Sequence, residues 1–266
     1  MIGRGMVAIA LAAAVLGVAP AVCAHAPAAD GAERGAVAPA RGQAVTLAAL
    51  GLEAAPQPLV ARYRVTVSPA AKNGKPAPKR QATWVFLRDD DRVALQKGAI
   101  DELWRRDAQG RIGFERVFHA DERVVEYPPG ELATLGVQAD WRALSFFVDP
   151  AELLPLRVVA RSGTGSQARI RLAGTAVGQT VTVDWLPALQ LPARLHRQSR
   201  DGGTMLFELV QHGPVAPAAW SQAEARTASY IRLDAADFGD MEYEAVVRLS
   251  EALDARQGWR SAHAHD

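Results

Sequence analysis

From Leu59 onward the chain alternates. Leu59, Ala61, Tyr63, Val65 and Val67 are apolar, while Arg62, Arg64 and Thr66 point the other way. A period of two over that length is a strand with one buried face. The pattern returns repeatedly, interrupted about every eight to twelve residues by turn-forming stretches. Asn73-Gly74, Asp89–Asp91, Gln109-Gly110, His119–Glu122 and Asp201-Gly202-Gly203 are such breaks. Later strands fall at Arg157–Arg161, Gln167–Ala173, Thr180–Leu186, Pro192–Ser199 and Thr204–His212. A chain patterned this way folds into an antiparallel meander, here of about ten strands.

Three stretches depart from that period. "QAVTLAALGLEAA" reads as a short helix, and Trp141, Leu144 and Phe147 are spaced for one helical face. Near the C-terminus Asp240 is placed as an N-cap, with Glu242 and Glu244 in the first turn. Tyr243, Val246, Val247 and Leu253 then form one stripe, and Gly258 ends the helix. The expected fold class is α+β: a strongly curved antiparallel β-sheet lidded by two or three helices.

The N-terminus reads as an export signal. Arg4 precedes an apolar run from Met6 to Val18, and Val22-Cys23-Ala24 fits cleavage before His25. The run is short for a membrane span. Lipidation at Cys23 is the alternative, although Pro20-Ala21-Val22 lacks the usual leucine and small-residue pattern. Cleavage after Ala24 removes the chain's one cysteine, and thiol chemistry with it. Residues 1–24 are thus a signal peptide, 25–43 a disordered leader, 44–258 a single domain and 259–266 a flexible tail. The chain is expected in the periplasm as a monomer without a permanent membrane anchor. A formal net charge of +1 over 266 residues argues against nucleic acid as partner.

Chemistry-bearing motifs are missing. No His-Glu-x-x-His, Gly-x-Ser-x-Gly, Gly-x-Gly-x-x-Gly or phosphate loop occurs, so no catalytic residue and no cofactor are assigned. His119, His196 and His212 fall in turns or on polar strand faces and read as surface residues. Asp234, Asp237, Asp240, Glu242 and Glu244 are acidic, but their spacing is not that of a calcium loop, and capping explains them better. His263, His265 and Asp266 form a terminal cluster that offers weak copper or zinc binding as an alternative role.

The sheet itself carries the remaining signal. "ATWVFL" is apolar on both faces and "TVDWL" and "TMLFELV" nearly so, which requires cover on the second face. A curved sheet under helices, incompletely filled, would hold an apolar ligand, with Trp84, Phe86, Trp185, Leu206 or Phe207 as its lining. Only one alternating set per strand can face inside.

The phrase "VDWLPALQLPARLHRQSRDGGTMLFELV" is a strand, a Leu-Pro turn, a charged strand, a Gly turn and a strand. In this it is similar to a hairpin of the periplasmic lipoprotein carriers of the LolA/LolB type, and the order of elements over about 59–212 resembles that family. The resemblance implies an unclosed barrel lidded by helices and, as ligand, a lipid or the acyl chain of a lipoprotein. "DAADFGDMEYEAVVR" has no counterpart there. It leaves a second expectation: a non-enzymatic accessory protein of the cell envelope that docks a protein partner through its C-terminal segment.

Overall fold

The computed structural model describes residues 6–7, 42–71, 75, 77–216 and 218–260. The leader up to residue 41 and the terminal cluster of His263, His265 and Asp266 lie outside the described residues. Thirteen strands form one sheet. They are β1 (Gln43–Ala44), β2 (Leu59–Ser68), β3 (Arg80–Arg88), β4 (Arg92–Gln96), β5 (Ile100–Arg106), β6 (Ile112–Phe118) and β7 (Arg123–Tyr127). After a helical interlude come β8 (Arg157–Ser162), β9 (Arg169–Ala176), β10 (Gln179–Leu186), β11 (Leu191–Gln198), β12 (Thr204–Gly213) and β13 (Ile231–Asp234). Outside this sheet, Met6–Val7 pairs in parallel with Gln138–Ala139.

The order across the sheet is β13-β7-β6-β5-β4-β3-β2-β12-β11-β10-β9-β8-β1. Two meanders, β2–β7 and β8–β12, are thus joined where β12 returns beside β2, with Thr204 opposite Ser68. The two end strands do not meet, so the barrel stays open. The α+β class and the unclosed curved sheet are as expected. The count of about ten is corrected to thirteen, and β13 makes the sheet mixed because it lies parallel to β7. Two of the strands not expected, β1 and β13, have two and four residues, too few for a period of two to show. Register shifts at Val158/Ala160, Asp184/Trp185 and Leu209/Gln211 mark bulges, which add bend and twist.

This order dictates where the lid lies. β7 and β8 are successive in the chain, yet each is second from an opposite end of the sheet. The connection has to traverse the sheet, and it does so over the inner face. It contains three short helices, α1 (Pro129–Thr134), α2 (Trp141–Leu144) and α3 (Pro150–Leu153). Asp140 and Asp149 cap α2 and α3, accepting from Arg142 N at 2.9 Å and Ala151 N at 2.7 Å. The single helix face expected for Trp141, Leu144 and Phe147 is not formed. The α2 helix ends at Leu144, and Phe147 enters the core from the bend that follows. Val137, Leu144, Phe146, Phe147, Val148, Leu153 and Leu156 are all buried there.

The segment expected as an N-terminal helix is instead a run of turns over 47–53. It is pinned by the turn between β10 and β11. Trp185 Nε1 donates to Leu50 O at 2.9 Å, and Gln190 Nε2 donates to Gly51 O at 2.6 Å and Ala54 O at 3.1 Å. Gly51 has φ 71° and lies so near that a Cβ would stand 2.7 Å from Pro187 O.

The outer face has its own cover. Helix α4 (Ala219–Thr227) lays Trp220 on Leu87 and Ala94, with Val60, Val85 and Leu103 around them. The strands apolar on both faces required such a cover, but the helices at 141–147 and 243–253, expected to supply it, both pack on the inner face. Helix α4 leaves no periodic signal in the sequence, because "AWSQAEART" carries one large apolar anchor and no stripe.

At the C-terminus, a 3-10 helix (Ala235–Met241) capped by Asp234 precedes α5 (Ala245–Arg256). Glu244, not Asp240, is the N-cap of α5. Tyr243, 74% exposed, leaves the expected stripe, while Val246, Val247 and Leu253 are buried. Gly258 ends the helix with φ 78°. Trp259 and Arg260, assigned above to a flexible tail, are docked: Trp259 is buried and Arg260 N donates to Leu135 O at 2.9 Å.

Arg88, 1% exposed at the end of β3, ties these parts together. It donates to Gln57 O at 2.9 Å, Ser145 O at 3.0 Å and Leu189 O at 2.8 Å. Replacing it by Met removes three charge-assisted bonds and leaves buried carbonyls unpaired, so Arg88→Met is expected to lose about 3 kcal/mol of stability in urea unfolding.

Candidate functional site

The inner face brings together aromatic residues from three adjacent strands. Trp84 and Phe86 on β3, Tyr63 on β2 and Phe207 on β12 are all buried, and the registers place Tyr63 opposite Trp84. Into their midst the lid sends Phe147. Its ring stacks on Tyr63 with centroids 4.2 Å apart and meets Phe86 and Phe207 edge-on, each at 5.6 Å. Trp84 meets Phe207 at 5.4 Å. Tyr63 is not left unpaired, since its hydroxyl donates to Pro192 O at 3.0 Å.

Of the residues named as a ligand lining, Trp84, Phe86 and Phe207 therefore share one cluster. Trp185 is on the same face farther along the sheet, beneath the 47–53 turns, its indole N–H bonded to Leu50 O. Leu206 is excluded by register. It neighbours Phe207 in the strand and so faces outward, half-buried, opposite His196 and Thr66.

Beside the aromatic cluster lies a buried polar one. Arg116 sits on the inner face of β6, fully buried, between the apolar residues Phe114 and Phe118. Its Nη1 donates to Asp254 Oδ1 at 2.8 Å and Tyr127 Oη at 3.1 Å, and Tyr127 donates to Asp254 Oδ2 at 2.9 Å. Ser250, one turn before Asp254 on α5, completes the set. The guanidinium carbon is 5.1 Å from the Phe114 ring, 5.6 Å from Tyr127 and 5.7 Å from Trp259. Burial pushes the Asp254 carboxyl above the usual carboxylate range, with Arg116 drawing it back. Burial likewise pushes the Tyr127 phenol up. For Arg116, burial opposes the charge, and Tyr127, Asp254 and Glu102 more than offset it. The grouping holds α5 to the sheet. A charged residue within the apolar register of β6 was its sequence signal, but the partners lie 134 and 138 positions away.

Several concavities lie among the described residues. One of about 300 Å³ lies where α1, the 3-10 helix, α5 and Trp259 meet. A second of about 110 Å³ lies between α4 and the outer face. Beside it a shallow one of about 350 Å³ includes Asp101, His119 and Arg226, and the fourth, about 220 Å³, is a surface dip containing Asp184 and His196. His119 is not the free surface residue expected. Its Nε2 is 2.9 Å from Asp101 Oδ2 and its Nδ1 is 3.2 Å from Tyr230 Oη, a clasp joining β5, β6 and the chain after α4. Asp234 acts as a cap, accepting from Ala236 N at 3.0 Å. Among the described residues no three His, Cys, Asp or Glu side chains are grouped to hold a metal ion. Nor, among those residues, is any helix long and apolar enough to cross a membrane.

No family model matches the chain, and no curated protein does. Solved structures similar to it include PNGF-II (11% identity, TM-score 0.37), covering 71% of this chain and 33% of that one. MucB is similar over 66% of this chain and 60% of its own, at 18% identity and TM-score 0.34. A domain described as an outer membrane lipoprotein-sorting protein from Vibrio parahaemolyticus is similar over 67% of this chain and 96% of its own, at 11% identity and TM-score 0.31. The chain thus spans about a third of the first protein and three fifths of the second.

The lid is fastened by Glu152, whose Oε2 lies 2.7 Å from Arg197 Nη2 on β11. Burial holds the Glu152 carboxyl above its usual range, against the pull of Arg197. Burial raises Asp149 and Asp254 in the same way. A carboxyl raised in the folded state binds more protons folded than unfolded, so stability falls as pH rises from the ordinary carboxylate range through the raised values. Glu152→Gln is expected to make that decline shallower in urea titrations across the acid range.

Proposed function

We propose that this is an exported, non-enzymatic binding protein of the cell envelope that takes an apolar chain on the inner face of its open barrel. The ligand class is a lipid or the acyl chain of a lipoprotein, and the seat is the cluster of Tyr63, Trp84, Phe86 and Phe207. One observation carries the reading: the group filling that seat, Phe147, belongs to the lid and not to the sheet. The lid is also part of the core through Leu144, Phe146, Val148, Leu153 and Leu156, so its displacement exposes a continuous aromatic surface at the cost of those contacts. An acyl chain entering there replaces Phe147 and gains about 25 cal/mol per Å² of apolar area buried, less the cost of moving the lid. The signal-like N-terminus supports export, and the closed state supports a monomer that is stable while empty.

The filled seat also supports a second reading, an accessory protein whose sheet is a scaffold for docking a partner. The exposed Tyr243 and Ile231 are then the side chains to test. Deleting 234–266 would not serve, since it removes α5 from the core.

Binding of cis-parinaric acid, read by its fluorescence, separates the two readings. Under the carrier reading Phe147→Ala binds the probe about tenfold more tightly than the wild type, because the competitor is gone. Trp84→Ala binds more weakly. A folded Phe147→Ala protein that binds no better than the wild type overturns the carrier reading, and loss of partner capture in Tyr243→Glu supports the docking one.

A further inference from the structure

Three connections lie side by side at one end of the sheet: the β9–β10 turn at Val177-Gly178, the β11–β12 turn over 199–203 and the β2–β3 loop over 69–79. The registers put them there, since Thr180 faces Gln198, Gln198 faces Thr204, Thr204 faces Ser68 and Val67 faces Arg80. The approach to β8 reaches the same rim, because Arg157 faces Ala173 and β9 runs on from there to the turn.

Val177 is out of place in that turn. It is held at φ 49° and Gly178 at φ 72°, a pair of positive angles that suits Asn-Gly and strains a β-branched side chain. The core gains nothing in exchange, since Val177 is 77% exposed. Strain kept without a packing return is a sign of a role outside the fold. Leu154, 42% exposed on the approach to β8, is a second apolar knob at this rim. The loops beside them carry Lys75, Lys79, Arg80 and Arg200, all exposed and none in an ion pair among the described residues. Asp201 is occupied by its own turn, accepting from Gly203 N at 3.1 Å and from the Ser199 hydroxyl. Four cations against that one carboxylate leave a surplus of three positive charges, on a chain whose net charge is +1. Glu152 and Arg197, where the lid meets β11, offset each other.

We propose that this rim docks on an anionic phospholipid bilayer, with Val177 and Leu154 entering the headgroup layer and the four cations lying against lipid phosphates. The cations gain from the negative surface potential, and the apolar side chains add shallow insertion. Knobs raised on separate loops suit a soft surface that closes around them, whereas a folded acidic protein would have to supply a pit for each. The docking does not require the carrier reading. It does set a bilayer at the near end of the aromatic seat, for Phe207 and Trp84 lie within four residues of the rim on β12 and β3.

Co-sedimentation of the full chain with vesicles is the test, using phosphatidylcholine alone or in equal parts with phosphatidylglycerol. Binding is expected to be at least about tenfold stronger on the anionic vesicles and to fall away in about 0.5 M salt. The apolar N-terminal run is common to every variant, so differences between variants read the rim. Val177→Asn relieves the backbone angle and removes the apolar tip. It is expected to keep or raise the melting temperature while binding several-fold more weakly. Lys79→Glu, Arg80→Glu and Arg200→Glu together are expected to abolish the preference for phosphatidylglycerol. Equal binding to the two kinds of vesicle, no binding to either, or undiminished binding in either variant overturns the proposal. Phe147→Ala is expected to dock as the wild type does, so failure of the docking leaves the parinaric acid result standing, and the reverse.

Discussion

The fold turns on a guanidinium that, among the described residues, is paired with backbone carbonyls and with no carboxylate. Arg88 ends the inner-face stripe of β3 and spreads three donors to backbone carbonyls of three separate segments: the approach to β2, the lid after α2, and the turn between β10 and β11. None of these segments has a strand partner at that point, so each would otherwise present an unsatisfied carbonyl to the interior. Burial lowers the Arg88 pKa to about 10, in spite of the nearby Tyr63, which still leaves it charged at neutral pH. A lysine could offer no planar fork to three diverging acceptors.

Around that point the sheet order does the rest. Because β12 returns to pair with β2, the two meanders become one sheet, and the link from β7 to β8 must cross it. A crossing of 29 residues, counted from Pro128 to Leu156, fills the inner face with its own side chains, Phe147 foremost. The same link is therefore both core and lid. At the far end Arg116, Tyr127, Ser250 and Asp254 fasten α5 over the last strands, and Trp259 closes the end of the core beside them. Removing one member of such a pair is costlier than the pair is worth, since the other charge stays buried.

Much of this was legible in the residues. The period of two, the turn-forming breaks and the two-sided apolar strands specify a curved meander and demand cover on both faces, since register and burial are local consequences of pattern. Trp84 and Phe86, two apart, were legible as sharing a face, whereas which face is the inner one, and whether Leu206 or Phe207 lies on it, depended on the register. Helix α4 was not legible, because a helix that contributes one tryptophan has no period. The His119 clasp and the Arg116 cluster were not legible either, since their partners are brought together only by folding.

By itself the sequence determined most of the strands, their alternation and the need for cover on both faces, for these depend on the period of two and on the fixed geometry of turns. Only the tertiary structure decided that the lid's Phe147 occupies the aromatic seat, that α4 covers the outer face, and that a cavity opens beside Trp259. Each of those depends on which distant segments meet, and local pattern carries no information about distances between parts of the chain that touch only after the sheet has formed.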